Sequence, residues 1–203
     1  MLETRGLACE RGGLRLFSDI GFRVAPGGLL RVRGANGSGK TTLLRALTGL
    51  TRPVEGTIRW KGEPVDDDYR AQLLFLGHAP AIKDDLTVAE NLAFSLRLAG
   101  IECSGGQREG ALEALGIARL AALPARYLSQ GQRKRAALTR LALSARVPLW
   151  LLDEPFAALD DDALGRVSRL CASHLAAGGL LVLTSHQDIA IAGAAEQTLA
   201  LGN

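Results

Sequence analysis

The sequence predicts an α/β fold, in which helices cover both faces of a mostly parallel sheet. Three features lead to this prediction: a glycine-rich loop that joins a short apolar strand to a helix, apolar runs that alternate with helical segments in the second half of the chain, and short strands separated by glycine turns in the first third. A chain of 203 residues is long enough for one well-packed domain and too short for two full ones.

The first third of the chain has the pattern of short, half-buried strands. Residues 2–5 alternate weakly between apolar and polar side chains, residues 20–24 alternate more clearly, and glycines mark the turns between them. A further strand is predicted at residues 57–60, again between glycines. We therefore expect a partly antiparallel sheet beside the parallel strand that precedes the glycine-rich loop.

The middle of the chain has the pattern of one buried strand followed by helices. Residues 73–76 form a continuous apolar run, as expected of a strand buried on both faces. Thr87 followed by Glu90 is a capping box that predicts the start of one helix, and residues 109–115 predict a second. No repeat or low-complexity linker interrupts this region, so we expect a helical insertion rather than a separate domain.

The last part of the chain alternates helices with apolar strands. The sequence predicts a helix at residues 133–144, a buried strand at 149–152, a helix at about 161–175 and a strand from Leu180 that ends at His186. This alternation is typical of a parallel sheet covered on both faces.

The glycine-rich loop at residues 34–42 fits the phosphate-binding pattern G-x-x-x-x-G-K-[ST], in the required context of strand, loop and helix. Glycines let the backbone wrap around phosphate oxygens, and the loop N–H groups and the helix N-terminus direct positive ends towards them. Lys40 is expected to reach the β- and γ-phosphates, and the Thr41 hydroxyl to ligate Mg²⁺. The candidate ATP-binding residues of this loop are Gly34, Asn36, Gly37, Ser38, Gly39, Lys40, Thr41 and Thr42.

Two acidic residues follow the buried strand at 149–152. Strand ends of this kind commonly carry catalytic groups in parallel sheets, so Asp153 is a candidate second ligand of the Mg²⁺ shared with Thr41. Glu154 is a candidate base that orients or deprotonates an attacking water. His186, at the end of the next apolar strand, is a candidate contact to the γ-phosphate.

A second glycine motif, residues 128–132, precedes the helix at 133–144. Ser129 and Gln132 have capping-box spacing, so the motif is compatible with a simple helix start and with an exposed helix N-terminus that binds a phosphate. A similar stretch at residues 103–107 is not followed by a long basic-apolar helix, and we expect no such role for it.

The motif at 128–132, Leu-Ser-Gln-Gly-Gln, resembles the LSGGQ signature of the ABC-transporter ATPases, with Gln130 in place of the first Gly. Together with the phosphate loop and Asp153-Glu154, the resemblance covers essentially the whole chain. It implies a P-loop NTPase fold of the ABC type, with an antiparallel β subdomain and a helical subdomain at approximately residues 79–145 inserted within a RecA-like core. It also implies an Mg-ATP hydrolase that works as a head-to-tail dimer, in which Ser129, Gly131 and Gln132 of one copy bind the ATP held by the other.

The same resemblance assigns three further positions. Asp160 belongs to the loop at residues 158–160 that crosses the dimer interface in this family. His78 stands where the family has a glutamine that senses Mg²⁺ and water and couples to the membrane partner. Arg11 stands where the family has an aromatic residue against adenine, and a guanidinium can also stack on a base.

Residues 76–92 carry the run G-H-x-P-x-I-K…L-T…E-N-L, which is similar to one branch of this family, the ATPase subunits of the haem-exporter-type complex in cytochrome c maturation. Residues 7–11 are also similar to that branch. The resemblance implies membrane partners like CcmB, CcmC and CcmD and a peripheral position at the cytoplasmic face of the bacterial inner membrane. In that complex the ATPase is expected to drive release of the haem-loaded chaperone CcmE.

Composition argues against several other classes of protein. Lys and Arg total 24 against 21 Asp and Glu, and the densest basic run is only residues 133–135, so we expect no nucleic-acid partner. Three widely spaced cysteines argue against a disulfide framework or zinc site and suit a reducing compartment. We expect neither a signal peptide nor a membrane span, and, without a CxxCH motif, no direct haem binding.

Three alternatives stay open from the sequence. The chain is the ATPase of another ABC exporter, a soluble ABC protein for DNA repair or cluster assembly, or a binding module that has lost catalysis. The run at residues 76–92 argues against the first, and repair proteins normally carry coiled-coil or zinc insertions that this sequence lacks. The set of Lys40, Asp153, Glu154 and His186 argues against the third.

Overall fold

The computed structural model describes residues 1–202, which form two sheets and seven α-helices. The strands are β1 (Leu2–Arg11), β2 (Leu14–Val24), β3 (Gly28–Gly34), β4 (Glu55–Trp60), β5 (Glu63–Pro64), β6 (Leu73–Leu76), β7 (Leu149–Asp153), β8 (Leu180–Thr184) and β9 (Ala195–Leu201). The helices are α1 (Lys40–Leu47), α2 (Asp67–Arg70), α3 (Val88–Leu98), α4 (Gly105–Ala114), α5 (Gln130–Leu138), α6 (Arg140–Leu143) and α7 (Asp161–Ala176). Within these residues, no helix has the length and apolar character needed to cross a membrane.

The larger sheet has five parallel strands in the order β6-β7-β8-β3-β9. Every residue of the two inner strands β7 and β8 is buried. This agrees with their nearly continuous apolar sequences, which are typical of parallel strands covered on both faces. The register places Asp153 beside Thr184 at the carboxyl ends of these strands. The α/β fold is therefore confirmed, and its parallel sheet brings the strand ends to one edge.

Both edges of this sheet differ from the sequence predictions. Residues 73–76 form the edge strand β6, and only Leu74 is buried, so the prediction of a strand buried on both faces was wrong. An edge strand has one neighbour and incomplete cover, so its apolar side chains are only partly removed from water. The other edge, β9, was not predicted, because most of its side chains are exposed and give little alternation. The strand predicted to end at His186 ends at Thr184.

An ion pair between a buried arginine and a partly exposed glutamate fixes β9 to β3. The side chain of Arg31 is 1% exposed and donates to Oε1 of Glu196 at 2.6 Å and to Oε2 at 3.0 Å. It also donates to the carbonyl of Ile189 at 2.8 Å. Because these contacts join positions far apart in the sequence, they anchor the segment that follows β8, where His186 lies.

The smaller sheet is antiparallel, with the order β2-β1-β4-β5, as the alternating strands of the first third predicted. β1 is longer than the predicted residues 2–5 and runs to Arg11, where a two-glycine turn leads into β2. This hairpin brings Arg11 and Leu16 to the mouth of the glycine-rich loop.

Helices α3 to α6 lie between β6 and β7 in the chain. The predicted capping box is confirmed: Thr87 Oγ1 accepts from the Glu90 N–H at 3.2 Å, and Glu90 Oε2 accepts from the Thr87 N–H at 2.8 Å. The predicted helix at 109–115 begins earlier, at Gly105, because Ser104 and Gln107 form a capping box of the same kind. The predicted helix at 133–144 also begins earlier, at Gln130, and is divided at Thr139 into α5 and α6.

The core on the α7 side of the sheet contains a buried histidine. The rings of His174 and Trp150 stack with centroids 3.9 Å apart, and His174 Nε2 lies 3.2 Å from the carbonyl of Leu180. A Cβ at Gly179 would lie 2.2 Å from the imidazole, so only glycine fits beside it. Burial lowers the pKa of His174 below its ordinary value of 6.5, against the smaller effect of the Leu180 carbonyl.

This histidine predicts a pH dependence of stability. Because the folded-state pKa is lowered, the unfolded chain binds the proton more readily, and the free energy of unfolding is expected to fall as the pH drops through the ordinary histidine pKa. Thermal unfolding of wild type and His174→Phe between pH 8 and pH 5 measures this, since phenylalanine keeps the ring stack without the proton. An equally steep loss of stability in both proteins would contradict the assignment to His174.

Candidate nucleotide-binding site

The glycine-rich loop connects the carboxyl end of β3 to the N-terminus of α1. Gly39 caps α1 with a φ of 97°, and a Cβ there would lie 2.9 Å from the ring of Phe17. Gly34 has a φ of 154°, and a Cβ there would lie 2.5 Å from the Leu201 carbonyl oxygen. Both positions therefore require glycine, and the backbone N–H groups and helix N-terminus are free to face an anion.

Lys40 is the first residue of α1, and only 8% of it is exposed. Its Nζ donates to the carbonyl oxygens of Gly34 at 2.8 Å and Ala35 at 3.1 Å, so the ammonium lies inside the loop. The buried Ser38 Oγ has no hydrogen-bond partner among residues 1–202. The loop thus holds a cation and an unpaired hydroxyl where a phosphate would accept hydrogen bonds.

A hydrogen-bond network joins the loop to the ends of β7 and β8. Asp153, which is 2% exposed, accepts from Thr41 Oγ1 through Oδ2 and from Thr184 Oγ1 through Oδ1, both at 2.7 Å. The Thr184 hydroxyl in turn accepts from the backbone N–H of Glu154 at 2.8 Å. This network sets the positions of the candidate magnesium ligands and of the candidate base together.

The Thr41–Asp153 pair fits a magnesium ion bound together with a nucleotide. Both atoms are hard oxygen donors, and they lie within hydrogen-bond distance of each other at the mouth of the phosphate loop. Mg²⁺ usually takes one or two protein oxygens and completes its octahedron with phosphate oxygens and water. Thr41 and Asp153 are therefore the side chains that would hold it.

Glu154 occupies an unusual backbone conformation, with a φ of 50° that L-residues seldom adopt. Its carboxylate is 13% exposed, and Oε1 has no hydrogen-bond partner among the described residues. The backbone N–H of His186 donates to Oε2 at 3.4 Å, and His186 Nε2 lies 3.5 Å from Oε1. Backbone strain at a carboxylate with a vacant acceptor oxygen is a pattern found at functional sites.

The loop, the strand ends and the β1–β2 hairpin enclose a cavity of about 510 Å³. It brings together most of the residues predicted from the sequence, including Lys40, Asp153, Glu154, His186 and His78. Arg11 also lines it, at the position predicted to face adenine, and makes no side-chain hydrogen bond among residues 1–202. The full lining is Arg11, Leu16, Asn36, Gly37, Gly39, Lys40, Thr41, Thr42, His78, Asp153, Glu154, Ala157 and His186.

Six predicted residues do not line this cavity: Gly34 and Ser38 of the phosphate loop, and Ser129, Gly131, Gln132 and Asp160. Ser129 and Gln132 form both halves of the predicted capping box at the start of α5. Asp160 caps α7 through the Ala163 N–H at 2.9 Å and pairs with Arg135 at 3.1 Å. A Cβ at Gly131 would lie 2.8 Å from the Ala158 carbonyl, so the start of α5 packs directly against residues 158–160.

The sequence pattern does not reveal two residues of the site. Thr184 lies within an apolar strand, and only its register opposite Asp153 shows that its hydroxyl joins the network. Lys134 belongs to a basic run that is typical of a surface, yet it is 7% exposed. Burial lowers the pKa of Lys134, while the nearby Asp153 and Glu154 carboxylates act in the opposite direction.

Thr184→Val tests the network. The variant leaves Asp153 Oδ1 without one donor and the Glu154 N–H without its acceptor, which is expected to lower the rate of ATP hydrolysis by about tenfold or more. Thr184→Ser keeps the hydroxyl and is expected to stay near wild type. Steady-state hydrolysis rates compare the two variants, and equal rates would show that the hydroxyl does not position the site.

The fold and the site define an ATPase of the ATP-binding cassette class, with a phosphate loop, an acidic strand end and a second glycine motif at a helix start. The family described as ABC transporter matches residues 17–157, so the chain belongs to the ABC transporter family. The cytochrome c biogenesis ATP-binding export protein CcmA of Nitrosospira multiformis is 47% identical over 98% of both chains. That of Dechloromonas aromatica is 46% identical over 100% of both. The resemblance inferred from residues 76–92 and 7–11 is thus confirmed.

Solved structures agree with this assignment. A dimeric ATP-binding cassette in a post-hydrolysis state, bound to ADP and Pi, is 26% identical and superimposes with a TM-score of 0.80, covering 99% of this chain and 94% of that one. An ATP-binding protein of a putative ABC transporter from Pyrococcus furiosus is 25% identical with a TM-score of 0.80, covering 98% and 96%. An ABC-type ATPase that binds adenine nucleotides is consistent with both the fold and the family.

Proposed function

We propose that the chain is the ATP-hydrolysing subunit of a membrane ABC complex for cytochrome c maturation. The observation that carries the proposal is the network that links Thr41, Asp153 and Glu154 in a chain similar over its full length to CcmA proteins. The network supports ATP hydrolysis, and the similarity supports the biological role. In this role the energy of hydrolysis releases a haem-loaded chaperone, and this chain itself does not bind haem.

The catalytic unit is a head-to-tail dimer, with each ATP between residues 34–42 of one copy and Ser129, Gly131 and Gln132 of the other. Two observations support this arrangement. The start of α5 lies outside the chain's own nucleotide cavity, so it reaches a phosphate only on another copy. A structurally similar relative bound to ADP and Pi is dimeric. Asp160, next to the start of α5, lies at the interface in this arrangement.

Within the site, the phosphate loop and Lys40 bind the triphosphate, and Arg11 stacks against the base. Thr41 and Asp153 would hold a Mg²⁺ ion, which would supply positive charge to offset that of the phosphates. Glu154 orients a water and accepts its proton at Oε1 as the water oxygen bonds to the γ-phosphorus and the bond to the ADP oxygen breaks. Lys40 stabilises the charge on the leaving ADP, and His186 holds the γ-phosphate.

Helices α3 to α6, within residues 79–145, form the helical subdomain that contacts the membrane subunits. A groove of about 490 Å³ on these helices supports this assignment, because segment 80–83 lines it while the neighbouring His78 lines the nucleotide cavity. The segment thus connects the two cavities. The partners are permease subunits of the CcmB, CcmC and CcmD kind, with this chain peripheral at the cytoplasmic face of the inner membrane.

Purification of the tagged chain from its own membranes in gentle detergent tests the proposal. CcmB- and CcmC-like proteins are expected to co-purify, and Mg-ATP hydrolysis is expected in the isolated complex. Recovery of a different permease would keep the ATPase and refute the cytochrome role. A chain that leaves the membrane fraction without a membrane protein would refute the transport role.

A further inference from the structure

The segment between β8 and β9, residues 185–194, carries His186 and forms neither helix nor strand; we call it the His186 segment. Its local hydrogen bonds are few: Ser185 Oγ donates to the Gln187 carbonyl at 2.8 Å and accepts from the Gln187 N–H at 3.0 Å. The contacts of His186 to the Glu154 carboxylate are long, at 3.4 Å from its backbone N–H and 3.5 Å from Nε2. Contacts of that length hold an imidazole only weakly, so its position depends on what fixes the segment.

Two arginines of the neighbouring strand β3 fix the His186 segment. Arg33 pairs with Asp188 at 2.7 Å, and Arg31 donates to the carbonyl of Ile189 at 2.8 Å. Because the two arginines lie two positions apart on a strand, their side chains leave the same face of the sheet. Asp188 and Ile189 follow His186 closely in the chain, so both contacts act next to the imidazole.

A charged side chain is unusual at the position of Arg31. The side chain is 1% exposed, and the flanking Leu30 and Val32 are apolar core residues. Glu196 accepts two hydrogen bonds from it, at 2.6 and 3.0 Å, and raises its pKa against the smaller effect of burial. An ion pair with a buried member is often no more stabilising than apolar side chains of similar volume, because burial removes hydration. Stability alone therefore does not account for this arginine, and its hydrogen bond to the Ile189 carbonyl gives it a second role.

The strand that carries these arginines also leads directly into the phosphate loop. Gly34 is the last residue of β3, and its carbonyl accepts from Lys40 Nζ at 2.8 Å. One strand thus positions the loop at its end and the His186 segment at its side. In the proposed mechanism Lys40 and His186 act on the same triphosphate, and a displacement of about 1 Å is enough to slow a reaction by about a hundredfold.

We propose that Arg31 is a positioning residue for ATP hydrolysis, which holds the His186 segment so that the imidazole meets the γ-phosphate bound at the phosphate loop. Arg31 does not line the nucleotide cavity, so it acts through His186 and not on the nucleotide itself. Arg33 makes a weaker contact to the same segment, because its ion pair with Asp188 is exposed to water. The inference rests on the proposed function, because that function assigns the γ-phosphate contact to His186.

A double-mutant cycle in the detergent-purified complex tests whether Arg31 acts through His186. Single-turnover hydrolysis of radiolabelled ATP is measured for wild type, Arg31→Met, His186→Ala and the double variant. Methionine fills the buried volume, and Glu196, which is 32% exposed, stays hydrated. Arg31→Met is expected to lower the rate by about tenfold or more, with the Kd for ATP within about threefold of wild type. In the His186→Ala background the same change is expected to alter the remaining rate by less than about twofold, because no imidazole is left to position.

Two further measurements keep the test independent of the folding of Arg31→Met. Asp188→Ala breaks only the exposed contact to Arg33 and is expected to lower the rate by about two- to fivefold. Its matched control is Asp67→Ala, which breaks an exposed ion pair of α2 that does not line the nucleotide cavity, and which is expected to keep the wild-type rate. Backbone hydrogen exchange in residues 185–194 is expected to be about tenfold faster in Arg31→Met than in wild type, with exchange in α1 unchanged.

The other outcomes overturn the inference. An equal loss of rate on Arg31→Met with and without His186 would show an effect independent of the imidazole, as a general loss of folded protein produces. A wild-type rate in Arg31→Met, or unchanged hydrogen exchange in residues 185–194, would show that the segment holds its own position; each of these results leaves the proposed function standing. The proposed function fails separately, through absence of Mg-ATP hydrolysis in the wild-type complex. A wild-type rate in His186→Ala would remove the γ-phosphate contact and this inference together.

Discussion

Replacement of Glu154 by Gln is expected to slow ATP hydrolysis by roughly a hundredfold or more while ATP binding stays largely intact. The carboxylate follows β7, and its buried Oε1 has no hydrogen-bond partner among residues 1–202, so this oxygen can accept the proton of an attacking water. An amide of the same size fills the same space but does not take that proton at neutral pH. The loss therefore falls on the chemical step.

The surrounding contacts explain why binding should survive this change. The backbone N–H of Glu154, not its carboxylate, donates to Thr184 Oγ1, so the link to Asp153 remains in the variant. Lys40 and the phosphate loop make no hydrogen bond to the Glu154 side chain. The triphosphate site is thus unchanged by the substitution.

Single-turnover hydrolysis and equilibrium ATP binding separate the two effects of Glu154→Gln. Glu63 is an exposed glutamate of β5 that does not line the nucleotide cavity, so Glu63→Gln serves as the matched control and is expected to hydrolyse ATP at the wild-type rate. Turnover of Glu154→Gln close to wild type would remove Glu154 from the role of base. Loss of ATP binding in the same variant would instead show that the carboxylate contributes to binding of ATP before hydrolysis.

The sequence is sufficient to predict the parts of the site that depend on local pattern. The phosphate loop, with its obligatory glycines, follows an apolar strand, and Asp153-Glu154 follow another, so neighbouring residues alone place each motif at a strand end. Parallel strands align their carboxyl ends, and this physical rule is enough to predict that Thr41 and Asp153 lie close together. The capping boxes at Thr87 and Ser129 are equally local.

The missed features depend on contacts between distant segments. Thr184 joins the site only because β8 lies beside β7 in one particular register, and a single sequence does not contain that register. Most side chains of β9 are exposed, so its sequence shows no clear alternation of apolar and polar residues. Its place in the sheet depends on the Arg31–Glu196 pair, which joins distant parts of the chain. The edge position of β6 likewise follows from strand order, which an apolar run does not reveal. Lys134 lies in a basic run that predicts an exposed side chain, but the packing of the fold buries it.

Lys40→Met is expected to have a different kinetic signature from Glu154→Gln, because it weakens ATP binding. The Nζ of Lys40 lies inside the loop, and within residues 1–202 it donates only to the carbonyl oxygens of Gly34 and Ala35, which a phosphate oxygen can replace. Charge-assisted hydrogen bonds contribute about 1.5–3 kcal/mol each, so one lost contact is expected to raise the Kd for ATP by roughly ten- to a hundredfold. Methionine keeps most of the side-chain volume, so the loop itself should stay folded.

Equilibrium binding of ATP to wild type, Lys40→Met and Lys61→Met measures this loss. Lys61 contacts Gln72 and the Trp60 ring in the antiparallel sheet, and its replacement removes the same charge away from the nucleotide cavity. Weaker ATP binding in both variants would show that the effect comes from the loss of net positive charge. Unchanged ATP binding in Lys40→Met would show that the phosphates do not bind at the Lys40 ammonium. Because Lys40→Met alters affinity and Glu154→Gln alters turnover, the pair distinguishes an intact hydrolytic site from a module that only binds nucleotide.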